Sequence, residues 1–403
     1  MQDGKKYDHA SAPERLGLAA MGMEAEFTLF MDDELTRPEQ VFRSPTDFLG
    51  GDLMHREGSS YHLPTGGAVY FDTGVIEVAT PVIELERGCA ARAGRSLWES
   101  IHVVREGLDR WESEHGRHCR LVGFSAHYNV SFDVPLERQT NGRSVQQLAW
   151  LLAHVLPVPV MLLATNRRST GVGVRPRSDR IEITADFTPS PSLMIATATV
   201  IVGVVRAVMT WDTFELDELR RHDVPLIRGF APVPHTSRQG WLARFSSFPA
   251  NPFACDINAD PWPTHHHGER TLRELASDIL RPFMPAIRRL ADPFTFRLLG
   301  SILQGRSPSL LELEDRPEAY DDVGRLCLWD SLFPPGQLQR SRYERVLIRA
   351  ISGQHLRLGR RRLKPIGMRG WSAVVFRSES DHRREVIPLD ELVGHLDAWE
   401  RDN

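Results

Sequence analysis

The sequence predicts an α+β fold, in which a mostly antiparallel sheet carries helices packed on one side. Segments with alternating polar and apolar residues, typical of strands, gather between residues 20 and 190, and helical periodicity dominates afterwards. The most apolar run, 193–209, is interrupted by Arg206 and falls short of the roughly 20 residues of a membrane span. We therefore expect this run to form a buried core helix, and no membrane association.

Five segments have the alternation that predicts strands: GMEAEFTLF (22–30), AVYFD (68–72), VIEVATP (75–81), CRLVGFSAHYNVSF (119–132) and DRIEITADF (179–187). In the first of them, Glu24 and Glu26 fall on one face, because successive side chains of a strand point to opposite faces. Thr73 and Gly74 separate the second and third segments, so that these two strands are predicted to pair through a tight turn.

The predicted helices are segments with apolar residues at helical spacing: 90–115, 144–165 with a break before Pro157, 193 onwards, 269–291 and 342–358. The basic stretch GRRRLKPIG (359–367) is predicted as a linker. A strand and a terminal helix are expected after it. The chain is therefore expected to divide into a catalytic domain, 1–358, and a small C-terminal domain, 359–403.

Composition excludes several classes of function. The 403 residues have a formal net charge of −4, which gives no bulk basic field for nucleic acid. The four cysteines lie far apart and form no CxxC pair, so neither a disulfide framework nor a zinc ribbon is expected. The N-terminal residues are polar and contain no apolar signal core. A reduced, cytoplasmic protein is the expected class.

The five predicted strand segments carry four pairs of ionisable or amide side chains that are expected on one face: Glu24 with Glu26, Asp72 with Glu77, His127 with Asn129, and Arg180 with Glu182. An antiparallel sheet with one open face can carry such an array. Clustered carboxylates repel one another unless cations lie among them. Oxygen ligands with one imidazole suit Mg²⁺ or Mn²⁺ better than Zn²⁺, so the pattern favours a hard divalent cation.

Each pair taken alone has a structural alternative. Glu24 and Glu26 could form a solvated strand face, and Asp72 before Thr-Gly is typical of a turn. His127 could be a core or edge histidine. Arg180 and Glu182 could form a cross-strand ion pair.

The order of these elements resembles the glutamine synthetase/glutamate–cysteine ligase superfamily, and within it the Pup ligase and Pup deamidase (depupylase) family. GMEAEF is similar to the G-x-E-x-E strand of that superfamily, and GGAVYFDTGVIEVATPVIE to the family's G-A-R-x-Y-x-D…H-P-E-Y segment. SAHYNVSF is similar to its C-H-E-N-Y strand. The resemblance implies a curved, glutamine-synthetase-like antiparallel sheet and a small C-terminal domain.

The resemblance also implies a role for each matching residue. It implies metal ligands at Glu24, Glu26, Glu77 and His127, with Tyr70 among them, and a catalytic carboxylate at Asp72. The nucleotide and its phosphates are expected at the following residues: Asn129, Arg167, Arg168, Arg175, Arg177, Arg180 and Glu182.

The implied activity is that of an ATP- and Mg²⁺-dependent carboxylate–amine ligase, with Mn²⁺ as the alternative metal, which forms an amide or isopeptide bond through an acyl-phosphate. The expected partners are a small-molecule, peptide or small-protein carboxylate donor and an amine acceptor. Two alternatives stay open, an amide hydrolase of the Pup deamidase kind on the same site and a nucleotide-binding pseudoenzyme. The loop between Glu26 and Asp72 is short for a deamidase of this kind, which favours the ligase.

Overall fold

The structure is a computed structural model that describes residues 16–56, 59–132, 143–188, 190–235, 240–313 and 338–401. Its strands are β1 Ala20–Met31, β2 Glu34–Thr36, β3 Tyr61–His62, β4 Ala68–Asp72, β5 Val75–Ala79, β6 Ile83–Glu84, β7 Cys119–Ser131, β8 Val172–Pro176, β9 Arg180–Asp186, β10 Val233–Pro234, β11 Trp241–Ala243, β12 Trp262–Pro263, β13 Glu269–Arg270, β14 Leu356–Leu358, β15 Arg361–Arg369, β16 Ala373–Ser378 and β17 Arg384–Pro388.

The helices in the same ranges are α1 Pro38–Val41, α2 Thr46–Leu49, α3 Cys89–His115, α4 Val145–Val155, α5 Pro157–Ala164, α6 Pro191–Val208, α7 Asp217–Arg221, α8 Leu272–Leu280, α9 Met284–Leu290, α10 Pro293–Leu303, α11 Arg342–Ile351 and α12 Leu389–Arg401. Short 3₁₀ turns lie at Phe245–Ser247, Arg281–Phe283 and Leu310–Glu312.

Eleven of the described strands form one antiparallel sheet with the order β10-β11-β8-β9-β7-β1-β5-β4-β3, and β2 and β6 also pair with β1. The long strand β1 therefore lies at the centre, between β5 and β7. This arrangement confirms the predicted class, a large antiparallel sheet combined with helices.

The helices cover the face of the sheet that carries its apolar side chains. Phe27 of β1 contacts Phe187, with ring centroids 5.1 Å apart, and Phe187 stacks on Trp98 of α3 at 5.9 Å. These three aromatic side chains are almost completely buried. Helices α3 and α6 pack on this face and on each other. Since every second residue of β1 is committed to this core, the residues between them face the opposite side.

Helix α6 is the apolar run that the sequence predicts as a core helix. Its length and composition would also allow a membrane span, as would the bent pair α4–α5 taken together, but 78% of α6 is buried inside the molecule. It packs against α3, α5 and α9. The break before Pro157 is confirmed, since α4 ends at Val155 and α5 begins at Pro157.

Three predicted elements differ from the structure. The helix predicted over 269–291 divides into α8, a 3₁₀ turn and α9, because Pro282 and Pro285 offer no backbone N–H for a continuous helix. The helix predicted over 342–358 ends at Ile351. The predicted linker, 359–367, contributes to β15, in which Leu363 is buried between exposed basic neighbours.

A second hydrophobic core lies between α11, α12 and the four-stranded sheet β14-β15-β16-β17. Its buried side chains include Tyr343 of α11, Phe376 of β16 and Trp399 of α12, and Ala20 of β1 also belongs to it. Helix α11 precedes residue 358, so this core includes residues on both sides of the expected domain boundary. The division at residues 358 and 359 stays a prediction.

Candidate metal and anion site

The candidate site lies on the face of the sheet opposite the helices, where β5, β1 and β7 run side by side. Glu24 lies opposite His127 of β7, and Glu26 lies opposite both Ser125 of β7 and Glu77 of β5. Side chains that share a face and face each other across strands have Cβ atoms about 5 Å apart. The strand register alone therefore brings three carboxylates and an imidazole together.

His127 is buried between the two glutamates of β1. Its Nδ1 lies 3.2 Å from Glu24 Oε2, and its Nε2 lies 3.6 Å from Glu26 Oε1. Ser125 donates a hydrogen bond of 2.6 Å to Glu26 Oε2 and lies 3.3 Å from the imidazole Nε2. These contacts fix the carboxylate of Glu26 and the ring of His127 relative to each other.

The third carboxylate, Glu77, is buried and receives a hydrogen bond from the hydroxyl of Tyr70 on the neighbouring strand β4. Burial, with the nearby charge of Glu24, raises the phenol pKa of Tyr70 well above its usual range, so this hydroxyl stays neutral and acts as a donor. Tyr70 is predicted as a metal ligand. The geometry instead favours a different role, in which Tyr70 positions the carboxylate of Glu77.

Burial and mutual repulsion control the protonation of this cluster. Burial, together with the charges of Glu24 and Glu26, raises the pKa of Glu77 to about 8, although the Tyr70 hydrogen bond opposes the shift. Burial lowers the pKa of His127, but the hydrogen bond and charge of Glu24 outweigh it and raise that pKa to about 9. Without a cation, the protons bound to Glu77 and His127 offset the repulsion between the carboxylates at neutral pH.

The same side chains can hold a divalent cation. Donor atoms of Glu24, Glu77 and His127 lie within 4.8 Å of one another, and so do those of Glu26, Asp72 and Glu77. Glu77 belongs to both groups. Carboxylate oxygens with a single imidazole are a donor set that suits Mg²⁺ or Mn²⁺. A cation would replace the protons that otherwise offset the repulsion, so the residues fit the expected metal.

Asp72 ends β4 at the exposed edge of this cluster. The turn that follows has both central residues in the left-handed region, Thr73 at φ 52° and Gly74 at φ 94°, which matches the twist of a tight hairpin. The Thr73 hydroxyl donates to Asp72 Oδ1 at 2.7 Å. Asp72 therefore offers an accessible carboxylate next to the buried ones.

Strands β8 and β9 supply positive charge to the same cleft. The carboxylate of Glu182, only 2% exposed, accepts from Arg175 Nη1 at 2.8 Å and from Arg177 Nε at 2.9 Å. Arg180 donates to Asn129 Oδ1 at 2.9 Å and to Asp179 Oδ1 at 2.9 Å. Glu182 thus orients two guanidinium groups, and Asn129 orients a third, on the side of the cleft beyond His127.

The carboxylate–imidazole cluster and the three arginines border one cleft with a volume of about 690 Å³. It also has walls that the sequence did not indicate, namely Arg56 from the segment before β3 and the loop residues Gly370, Trp371 and Ser372 between β15 and β16. Of the predicted site residues, the following line the cleft: Glu24, Glu26, Tyr70, Asp72, Glu77, His127, Asn129, Arg175, Arg177, Arg180 and Glu182.

Two predicted phosphate-binding residues are not part of this lining. Arg167 and Arg168 are exposed after α5, and Arg167 Nε points to the carbonyl oxygen of Leu311, 3.4 Å away. The chain turns at these two residues before it enters β8. The structure therefore does not support the predicted phosphate contacts of Arg167 and Arg168.

Ser125 is a site residue that the sequence interpretation missed, although its position two residues before His127 places it on the same strand face. Arg56 and Trp371 gave no comparable signal. They belong to irregular segments far from each other in the chain, and only the tertiary fold brings them to the cleft.

No protein-family model matches the chain, and no curated protein matches it. Among solved structures, a similar one is the crystal structure of the complex between the prokaryotic ubiquitin-like protein Pup and its ligase PafA. The two have a TM-score of 0.46 and 10% sequence identity over 95% of this chain and 93% of that chain. A likeness this low does not establish an activity.

Proposed function

We propose that this protein is an ATP- and Mg²⁺-dependent carboxylate–amine ligase that forms an amide or isopeptide bond through an acyl-phosphate. One observation carries the proposal: a carboxylate–imidazole cluster and a group of three arginines border the same cleft. Phosphoryl transfer from ATP needs both parts, because it depends on positioning and on offsetting negative charge. The proposal also includes the resemblance of the residue pattern to Pup ligases. It includes a glutamine-synthetase-like curvature of the sheet and a cytoplasmic location as well.

In this proposal the acidic end of the cleft holds the metal. Glu24, Glu77 and His127 would hold the cation, and Asp72 at the exposed edge of the cluster stays free for the reaction. A bound divalent cation would offset the charge of the nucleotide phosphates. His127 would then lose its proton and bind through a neutral nitrogen.

The basic end would hold the phosphates. Arg175 and Arg177 are preoriented by Glu182, which leaves further N–H groups of both guanidinium ions for an anion. Arg180, fixed by Asn129, offers a third positive charge. Such a fixed array stabilises charge that develops on a transferring phosphoryl group, because the donors need no rearrangement during the reaction.

Asp72 would act as the general base. An amine must lose a proton when it attacks an acyl-phosphate, and a carboxylate next to the reacting atoms can accept it. Asp72 is exposed and lies at the edge of the acidic cluster, so an incoming amine can reach it. The donor would be a small molecule, a peptide or a small protein with a free carboxylate.

A second function on the same site is hydrolysis of an amide or isopeptide bond. The exposure of Asp72 favours it as well, because a carboxylate open to solvent can activate water as readily as an amine. The two functions differ in their use of ATP, since ligation consumes ATP for each bond formed and hydrolysis does not require net turnover.

The test follows ADP, phosphate and product mass with Mg·ATP, a panel of carboxylates that includes glutamate and peptides ending in glutamate, and a panel of amines. A parallel set of reactions contains the amides that these carboxylates and amines would form. Equal amounts of ADP and amide support the ligase. Bond cleavage without ADP supports the hydrolase, and nucleotide binding without any turnover across the panels favours a pseudoenzyme.

Asp72→Asn separates chemistry from binding. We expect it to reduce the turnover number about 100-fold or more, because the base is lost, and to leave nucleotide affinity unchanged. Asp52→Asn, an exposed aspartate outside the cleft lining, serves as the matched control. Equal turnover in the wild type and Asp72→Asn would contradict the assigned role.

A further inference from the structure

The four-stranded C-terminal sheet has an inner face, which packs against α11 and α12, and an outer face. Leu363 of β15 and Phe376 of β16 belong to the inner face, where both side chains are completely buried. Because successive side chains of a strand point to opposite faces, the residues next to these two lie on the outer face. Their neighbours Lys364 and Arg377 are exposed.

The strand register brings five positive charges together on the outer face. Arg357 of β14 lies opposite Arg362 of β15. Lys364 of β15 lies opposite Arg377 of β16, and Arg377 lies opposite Arg384 of β17. All five side chains are exposed. We call these five residues the basic face.

The charges of the basic face are densely packed. Neighbouring strands lie about 4.8 Å apart, and residues two positions apart on one strand are separated by about 6.6 Å. The Cα atoms of the five residues therefore extend about 14 Å across the strands and about 7 Å along them. Like charges directly opposite each other destabilise a sheet. An anionic partner would remove this repulsion.

Little negative charge offsets the basic face within the described residues. Glu379, just beyond β16, lies 3.5 Å from Arg362 Nε, and its other carboxylate oxygen lies 3.0 Å from His355 Nε2. The other four cations of the basic face form no ion pair with a described residue. The whole chain has a formal net charge of −4, so the basic face is a local departure from its composition.

The chemistry of the basic face favours a nucleic acid over a protein partner or a lipid surface. Stable protein interfaces have an apolar or aromatic centre. The apolar side chains beside these charges, Val375 and Val386, are small and half-buried, and they offer neither such a centre nor a group to insert into a membrane. Interfaces with nucleic acid are more polar and far more positively charged.

Among nucleic acids, the double helix fits the basic face best. It presents about one negative charge per 1.7 Å of its axis at fixed positions. An extended acidic peptide presents one carboxylate about every 6.8 Å on a face. Single strands are held by stacking on aromatic side chains, and the basic face consists of arginine and lysine alone. Guanidinium groups bind phosphates through two parallel hydrogen bonds.

We propose that the basic face binds the phosphate backbone of double-stranded nucleic acid, independently of its sequence. Lys364 and Arg377 lie at the end of the β15–β16 hairpin that is remote from its loop, and it is this loop that borders the cleft through Trp371. The duplex therefore binds away from the cleft, and both sites can be occupied together. The inference does not depend on the proposed function.

Fluorescence anisotropy of labelled duplexes measures this binding to the full-length protein at several salt concentrations. Because Arg362 is shared with Glu379, we expect about four phosphate contacts and a slope of about −4 for log affinity against log salt. The affinity should then fall about 200-fold between about 50 and 200 mM salt. DNA duplexes of unrelated sequence should bind equally. A duplex RNA in a parallel titration distinguishes the two sources of a phosphate backbone.

The test variant combines Lys364→Gln, Arg377→Gln and Arg384→Gln. We expect a slope of about −1 and binding at least about 30-fold weaker at the lower salt concentration. The variant should fold, because the substitutions remove like charges that lie opposite one another. Arg377→Gln alone should reduce the slope by about 1, which keeps the inference testable if the triple variant folds poorly.

The matched control removes the same charge from an exposed arginine cluster elsewhere on the protein, through Arg87→Gln, Arg288→Gln and Arg289→Gln. Its affinity and slope should equal those of the wild type. The arginines of the cleft need a control of their own, since they also carry positive charge. Saturating Mg²⁺ with AMPPNP, a non-hydrolysable ATP analogue, should therefore leave duplex binding unchanged.

Several results would overturn the inference. The wild type could fail to bind any duplex at low salt, or the two triple variants could lose the same affinity. Displacement of the duplex by AMPPNP would assign the binding to the cleft. Tighter binding of polyglutamate, or of vesicles that contain phosphatidylserine, than of the duplex would assign the basic face to an acidic protein or to a lipid surface instead.

Discussion

His127 lies between the carboxylates of Glu24 and Glu26, and Glu77 completes the cluster across the strand pair. Because the side chains are buried, their charges interact in a medium of low dielectric constant. Protons and metal ions therefore compete for the same positions. This competition gives the site a pH dependence whose sign follows from the shifts of Glu77 and His127.

Both groups bind protons more tightly in the folded protein than in the unfolded chain, with pKa values near 8 for Glu77 and near 9 for His127. The metal-free protein should therefore lose stability as pH rises, through pH 8 for Glu77 and through pH 9 for His127. Between pH 6.5 and 9 we expect the free energy of unfolding to fall by about 4 kcal/mol in EDTA. Burial raises the pKa of Glu24, but its hydrogen bond and charge interaction with His127 lower this pKa overall. Glu24 therefore changes the free energy of unfolding only below pH 6.5.

Urea unfolding at several pH values, with EDTA and with saturating Mn²⁺, measures this dependence. Mn²⁺ should replace the protons and remove most of the decline. Glu77→Gln should reduce the decline of the metal-free profile to the part that comes from His127, because the amide does not titrate. A metal-free stability that rises from pH 6.5 to 9 would show that the assigned shifts have the wrong sign.

Ser125 acts through Glu26, to which its hydroxyl donates a hydrogen bond of 2.6 Å. Hydrogen bonds to metal-binding side chains typically change metal affinity 10- to 100-fold. We expect Ser125→Ala to weaken Mn²⁺ binding about tenfold and to leave the unfolding midpoint in EDTA nearly unchanged. Ser131→Ala, on the same strand face but next to Ala20, is the control. Equal Mn²⁺ affinities in the Ser125 variant and the wild type would assign Ser125 a purely structural role.

At the scale of single elements, the stability of the hairpin formed by β8 and β9 depends on one buried carboxylate, that of Glu182. Glu182 binds both Arg175 and Arg177, so its removal leaves two guanidinium groups close together without an anion. Glu182→Ala should lower the free energy of unfolding by about 2 kcal/mol, less than for a fully buried pair because the arginines retain some exposure.

Asp179→Ala provides the comparison for Glu182, because Asp179 pairs with Arg180 at the surface of the same hairpin. Exposed pairs contribute about 0.5 kcal/mol, so the effect of this variant should be small. Nucleotide affinity should fall with Glu182→Ala, since both arginines lose their orientation. Similar unfolding free energies for the two variants would contradict the role assigned to Glu182.

Strand alternation was the signal that made much of this site predictable. The period of two places Glu24 with Glu26, and His127 with Asn129, on one face of their own strand without any knowledge of tertiary structure. The pairing of β1 with β7 then brings these faces together. The same rule fails for β15, where consecutive arginines obscure the alternation of Leu363 with its basic neighbours. Loops offer no periodicity at all, so the sequence could not indicate where Arg167 and Arg168 lie relative to the cleft.

Over the whole molecule, the cleft depends on contacts between segments that are far apart in the chain. Trp371 reaches it from the C-terminal sheet, and its partner Arg56 lies more than 300 positions earlier. The second core also includes Ala20, at the start of the strand that carries Glu24 and Glu26. Such contacts are encoded by no local pattern, which is why the sequence indicated the sheet face of the site and not its outer wall.

Mn²⁺ binding followed by electron paramagnetic resonance tests the central claim most directly, namely that the acidic end of this cleft holds a divalent cation beside nucleotide phosphates. We predict that the wild type binds Mn²⁺, and binds it more tightly when AMPPNP is present. Glu77→Gln should weaken both forms of binding at least about tenfold, and Asp52→Asn should not. Absence of Mn²⁺ binding by the wild type, or equal affinity in Glu77→Gln, would contradict the account.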